Sequence, residues 1–158
     1  MINARKSFTS PAFGVVACMI ALAAGVVSPA AFAENGGVHH GSMCQGSGAS
    51  LSVAGVWNNT AGTISVFCPT VRDEVLSTHG LNHAYVFYRL QKGGTISCTV
   101  YSLTAQGTSV AAASQSGSAS TGTLSFGAIA GASSGNYMIY CSVPAQGFIT
   151  SYRIDEWS

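Results

Sequence analysis

Charge is what this 158-residue chain has least of: six Lys and Arg and five Asp and Glu, 7% of its residues. That scarcity excludes a surface built to neutralise phosphates, so nucleic acid is not an expected partner. It also leaves too few carboxylates to define a glycosidase pair. Sustained helical periodicity is missing as well. The one G-x-S-x-G match, Gly131-Ala132-Ser133-Ser134-Gly135, reads as a loose loop rather than the strand-to-helix elbow that presents a hydrolase nucleophile. The longest apolar run, Phe13 to Val27, is shorter than the roughly 20 residues a membrane-spanning helix needs.

That run reads instead as the core of an export signal. Arg5 and Lys6 precede it and Ser28-Pro29 ends it. Ala31-Phe32-Ala33 then offers the small-x-small pattern that signal peptidase accepts, so cleavage is expected before Glu34. The expected organisation is a signal peptide over residues 1–33, a flexible lead-in over 34–48 and one folded domain over 49–158. The mature chain is expected to be secreted, periplasmic or extracellular, with no transmembrane segment. Without the leader, Arg72, Arg89, Lys92 and Arg153 face Glu34, Asp73, Glu74, Asp155 and Glu156. The formal charge becomes −1 rather than the +1 of the whole chain. The 158 residues less the 33 of the leader leave 125, enough for one domain with a real core.

What the chain has is β patterning. Short alternating runs rich in Val, Ile, Thr, Tyr and Phe are separated by Gly, Ser and Asn clusters. Strands are expected over 50–58, 63–68, 84–90, 95–103, 108–114, 121–128, 136–143 and 148–154. The stretch from Thr108 to Gly122, nearly all small residues, fits an edge hairpin or a mobile loop. About eight strands at this spacing predict an all-β, two-sheet β-sandwich of jelly-roll or immunoglobulin-like type.

Four cysteines, Cys44, Cys68, Cys98 and Cys141, follow the leader, an even number in an exported chain. Alternation places Cys68 with Ile64 and Val66, Cys98 with Ile96 and Val100, and Cys141 with Ile139 and Val143. Three cysteines therefore sit on inward faces, where bridges join neighbouring strands or cross between sheets. Three pairings are open; Cys98–Cys141 with Cys44–Cys68 is the favoured one.

The remaining candidates are few. Arg72 and Asp73 follow the strand-ending Pro69, and Arg153, Asp155 and Glu156 stand near the C-terminus. As the only dense charge clusters, they are expected to tie the chain together structurally. A hydrolase using Asp73 or Glu74 with Asp155 or Glu156 is the less favoured reading. His79 and His83 would share one face of a helical turn and are candidates for a divalent metal. Gly80 interrupts that turn, however, and no third ligand is evident, so no metal or cofactor is expected. Among the aromatics Tyr85, Phe87, Tyr101, Tyr140, Tyr152, Trp57 and Trp157, several fall opposite the apolar faces. Trp57, Tyr101 and Trp157 are the candidate rings for stacking on a ligand.

The motifs C-P-x-V-R-D (Cys68 to Asp73), I-S-C-T-V-Y-S (Ile96 to Ser102), Y-C-S-V-P (Tyr140 to Pro144) and S-Y-R-I-D-E (Ser151 to Glu156) resemble a group of small, uncharacterised exported bacterial proteins. The resemblance implies a secreted β-sandwich and transfers no catalytic residue. The expected function is non-catalytic: a structural or interaction role at the cell exterior, as a subunit of a surface layer, matrix or appendage. Its partners would be further copies of itself or other cell-surface components. The alternative is a carbohydrate- or ligand-binding module, with a glycan as partner.

Overall fold

The computed structural model describes residues 36–72 and 80–157. The signal peptide, Asp73, Glu74 and His79 lie outside the described residues. Within them the chain is almost entirely strand: β1 (Gly36–His40), β2 (Ala49–Ser52), β3 (Gly55–Asn58), β4 (Ile64–Pro69), β5 (Leu81–Leu90), β6 (Ile96–Leu103), β7 (Ser109–Gly117), β8 (Thr121–Phe126), β9 (Asn136–Val143) and β10 (Gly147–Glu156). A single 3-10 turn, Gly41–Met43, joins β1 to the segment before β2.

The strands form the expected two-sheet antiparallel sandwich. The larger sheet has the order β2-β3-β10-β5-β8, and the smaller the order β4-β9-β6-β7. β10 pairs with β5 along its whole length, so its other edge is shared. β3 takes Phe148 and Ile149 on that edge, and β1 takes Ser151 to Asp155. With β1 and β2 set aside, β3 to β10 alternate between the sheets in jelly-roll order, with one hairpin, β6–β7, inside the smaller sheet.

Three sequence expectations change. The lead-in is not slack before Cys44, because Gly36–His40 add as a strand to β10. The unpaired edge of β10 offers a row of backbone donors and acceptors, and these glycine-rich residues satisfy it. Residues 50–58 are not one strand but a tight β2–β3 hairpin. Gly55 permits this with a φ of +121°, lying so close to the Ile149 carbonyl that a Cβ would collide with it. The small-residue stretch is neither hairpin nor loose loop. β7 pairs with β6 in one sheet and β8 with β5 in the other, so it crosses the edge of the sandwich. Small residues are needed there: a Cβ on Gly122 would come within 2.5 Å of the Tyr88 hydroxyl, which is buried beneath the crossing.

The core is the strip where both inner faces meet. Val66, Cys68, Ile96, Val100, Ile139 and Cys141 come from the smaller sheet; Val56, Leu81, Val86, Phe126, Ile149 and Tyr152 come from the larger. Cys98 and Cys141 are direct cross-strand partners on β6 and β9 and form one disulfide. Cys44–Cys68 is the other, fastening the N-terminal segment to β4. Both bridges lie within or beside the smaller sheet. Asn58 ties the sheets together: from β3 its buried amide donates to the Val143 carbonyl of β9 at 2.9 Å and to Gly62 at 2.7 Å. Its Oδ1 accepts from the Thr60 backbone and hydroxyl at 2.9 and 2.7 Å.

Two outcomes follow from these ties. Replacing both Cys98 and Cys141 by Ala should lower unfolding free energy by about 4 kcal/mol, the chain-entropy value for a loop spanning 43 residues. Asn58→Ala should remove about 2–4 kcal/mol, because it leaves buried carbonyls unpaired. Denaturant unfolding of the oxidised protein measures both; an Asn58→Ala loss below 1 kcal/mol would contradict the assigned role.

Candidate functional site

The charge clusters resolve first. Arg72, just beyond β4, and Glu156, at the end of β10, form a buried ion pair with Nε 3.6 Å from Oε1. Arg72 also donates to the Ala132 carbonyl and lies over the Tyr137 ring, 5.4 Å from its centroid. Arg153 does not join this pair. It shares the outer face of β10 with Asp155 and bonds it at 2.7 Å. Both described carboxylates are thus held by arginines. Close by, the buried Tyr152 hydroxyl donates to the Pro69 carbonyl and links β10 to the end of β4. Burial pushes the Tyr152 phenol up to about 12. The Tyr137 phenol is also raised, chiefly by burial, with Glu156 adding to the effect and Arg72 opposing it.

The histidines do not assemble a metal site among the described residues, where no group of three or more His, Cys, Asp or Glu converges. His83 is exposed on β5 and stacks on Tyr85 with ring centroids 6.1 Å apart.

The three candidate stacking rings are dispersed. Tyr101 is on the outer face of the smaller sheet, in a row with Met138 and Ala112. Trp157 is exposed just beyond β10, where its backbone N–H meets the Gly80 carbonyl. Trp57 alone lies on the outer face of the larger sheet. There, cross-strand register lines up Ser50, Trp57, Phe148, Arg89 and Thr121 as one row over five strands. Trp57 and Phe148 stack nearly parallel, 5.5 Å between centroids and 3° between planes. Arg89 covers the Phe148 ring at 6.0 Å.

The next row holds His40, Ser151, Phe87 and Thr123. Here the half-buried Phe87 ring is flanked by hydroxyls rather than by other large side chains. A β-bulge makes this possible. Ile149 pairs with Tyr88 and Ser151 with Phe87, leaving Thr150 as the extra residue. Its hydroxyl donates to the Phe87 carbonyl at 3.1 Å. The result is a trough of about 380 Å³ lined by Phe87, Arg89, Thr121, Thr123, Thr150 and Ser151, among others. Along β5 the neighbouring rows are the Arg89 row on one side and the Arg153–Tyr85 row on the other. An aromatic floor with hydroxyls and a guanidinium around it suits a ligand with apolar C–H faces and a polar rim, and the volume falls in the usual range for small-ligand sites.

Alternation over 84–90 already sets Tyr85, Phe87 and Arg89 opposite Ala84, Val86, Tyr88 and Leu90. The partnership of Phe87 with Ser151 and of Arg89 with Phe148 was not readable, because it depends on long-range register and on the bulge.

No protein-family model matches the sequence, and no similar sequence is found among curated proteins. Among solved structures, the fold is similar to that of the Podospora anserina GH26-CBM35 β-(1,4)-mannanase, with a TM-score of 0.52 and 11% identity. The match covers 79% of this chain and 28% of that one, so this chain spans under a third of the mannanase. Looser matches are TmCBM61 in complex with β-1,4-galactotriose (TM-score 0.46, 12% identity, covering 77% of this chain and 88% of that one) and a CBM4 structure (0.34, 9%, 77% and 83%). At 11% identity the likeness to the mannanase structure is one of fold alone.

The charge cluster and the buried phenol generate two expectations. Replacing Glu156 with Gln should destabilise the protein by about 3–5 kcal/mol, since it removes the negative charge buried against the Arg72 guanidinium. Arg72→Leu combined with Glu156→Leu should recover most of that loss, a coupling that a double-mutant cycle reads directly. For Tyr152, an ordinary phenol titrates near 10 and the folded one near 12. The folded state therefore holds its proton more tightly. Stability should be full below pH 10 and fall as pH rises from 10 toward 12. Tyr152→Phe should flatten that decline in urea unfolding midpoints; an unchanged slope would count against the assignment.

Proposed function

We propose that the chain is an exported, non-catalytic carbohydrate-binding module that holds a sugar chain across the outer face of the larger sheet. The trough over Phe87 carries this reading. Pyranose rings present an apolar face of C–H groups that packs on an aromatic ring, and a rim of hydroxyls that exchanges hydrogen bonds with Ser and Thr. Phe87 supplies the first surface, while Ser151, Thr121 and Thr123 supply the second. Carbohydrate-binding modules are named among the structures that share the sandwich. Export fits the two disulfides, which persist in oxidising compartments. The likeness to small exported bacterial proteins supports the same setting.

A second reading, a subunit of an exterior layer or appendage, has its own observation. β7 is an open edge of nine residues, Ser109–Gly117, with no charge, no proline and mostly small side chains. Natural edge strands are usually blunted by charged side chains or proline, and this one carries neither. A strict monomer at high concentration in size-exclusion chromatography would remove that reading.

For the sugar-binding reading, affinity electrophoresis through immobilised polysaccharides and a glycan array should reveal a ligand. Phe87→Ala should weaken its binding at least about tenfold, or 1.4 kcal/mol. Tyr101→Ala, on the opposite face, should leave binding unchanged. Silence across a broad array would overturn the proposal.

A further inference from the structure

We infer that the trough selects acidic sugar chains, with a hexuronate carboxylate seated on Arg89; this rests on the sugar-binding reading above. Charge accounting over the described residues leads there. Glu156 is paired with Arg72 beneath the surface, and Asp155 is paired with Arg153. Arg89, exposed beside the Phe87 trough, has no ion-pair partner among the described residues. The outward positions around it are Ser50, Trp57, Phe148, Thr121, Phe87, Ser151 and Thr123, none of them acidic. On β5 the position opposite Asp155 is His83, six residues from Arg89 and so roughly 20 Å away at about 3.4 Å per residue. At that distance ordinary salt screens most of what remains. No carboxylate among the described residues therefore cancels the positive field at Arg89.

Geometry makes this cation more than a diffuse charge. Its guanidinium lies over the Phe148 ring, itself stacked on Trp57. A guanidinium presents its N–H donors as a planar fork. That fork matches the two oxygens of a carboxylate, a bidentate pair about twice as strong as neutral hydrogen bonds. Phe87 is the next outward residue on β5, so a pyranose packed on it would carry its carboxylate toward Arg89. In a protein with so few charges, one uncompensated arginine beside an aromatic trough is a selective feature rather than part of a general basic surface.

The test uses the full oxidised protein and two probes of one backbone: oligogalacturonate, and the same oligomers with carboxyls reduced to alcohols. Isothermal titration should show the acid form binding at least about tenfold tighter, with an advantage that shrinks at high salt. Arg89→Gln should erase the advantage, bringing the affinities for the two oligomers together, and Arg89→Lys should restore only part of it. Equal or weaker binding of the acid form would overturn the inference while leaving the sugar-binding reading intact. So would a preference that survives Arg89→Gln. Failure of both oligomers and of every glycan on the array would overturn both readings together.

Discussion

One extra residue in β10 decides which side chains of the C-terminal strand face the core. Before Thr150, odd-numbered positions point inward: Gly147 and Ile149. After it, even-numbered positions do: Tyr152, Ile154 and Glu156. Side chains alternate along a strand with period two, so a slip of one residue inverts every position beyond it. Without the bulge, Ser151 and Arg153 would be driven into the core and Tyr152 would face solvent. The hydroxyl beside Phe87, the Arg153–Asp155 pair, the Tyr152 tie to Pro69 and the buried Glu156 all depend on that single insertion. The bulge is closed by the Thr150 hydroxyl on the Phe87 carbonyl, which couples the core register to the floor of the trough.

Around that strand the sandwich is fastened by a few specific polar ties rather than by many charges. Asn58 joins β3 to the carbonyl of Val143, Tyr152 joins β10 to the end of β4, and Arg72 meets Glu156 beneath the surface. Each links one sheet to the other. The disulfides do a different job, bracing β6 against β9 and the N-terminal segment against β4. A buried ion pair adds little over a well-packed apolar pair but is severely missed when halved. Its value here is to fix how the chain after β4 meets the end of β10.

Much of the architecture was legible because it rests on period-two patterning. Ile64, Val66 and Cys68, or Ile96, Cys98 and Val100, announce both the strand and its inward face from local sequence. The same alternation sets Cys68, Cys98 and Cys141 on inward faces but leaves three pairings open, of which the favoured one is formed. Three features were not legible. β1 is read as slack because Gly36 and Gly37 carry no pattern; it is a strand only because β10 offers an open edge. The β2–β3 turn depends on the left-handed backbone of Gly55. The bulge at Thr150 breaks the very alternation that identifies strands.

The candidate site shows the same division. Trp57 stands on the outer face of the larger sheet, but Tyr101 and Trp157 lie elsewhere, since exposure of an aromatic says nothing about its neighbours. Phe87 and Arg89 are outward by alternation alone; that Ser151 and Phe148 flank them is a matter of long-range register. The central claim is that one face, the outer side of the larger sheet, meets a sugar chain. Backbone amide NMR of the isotopically labelled protein during titration with a bound oligosaccharide tests it most directly. Shifts should concentrate at Phe87, Arg89, Thr121, Thr123 and Ser151, with the β6–β9 face silent. Shifts centred instead on Tyr101, Met138 and Ala112, on the outer face of the smaller sheet, would contradict the account.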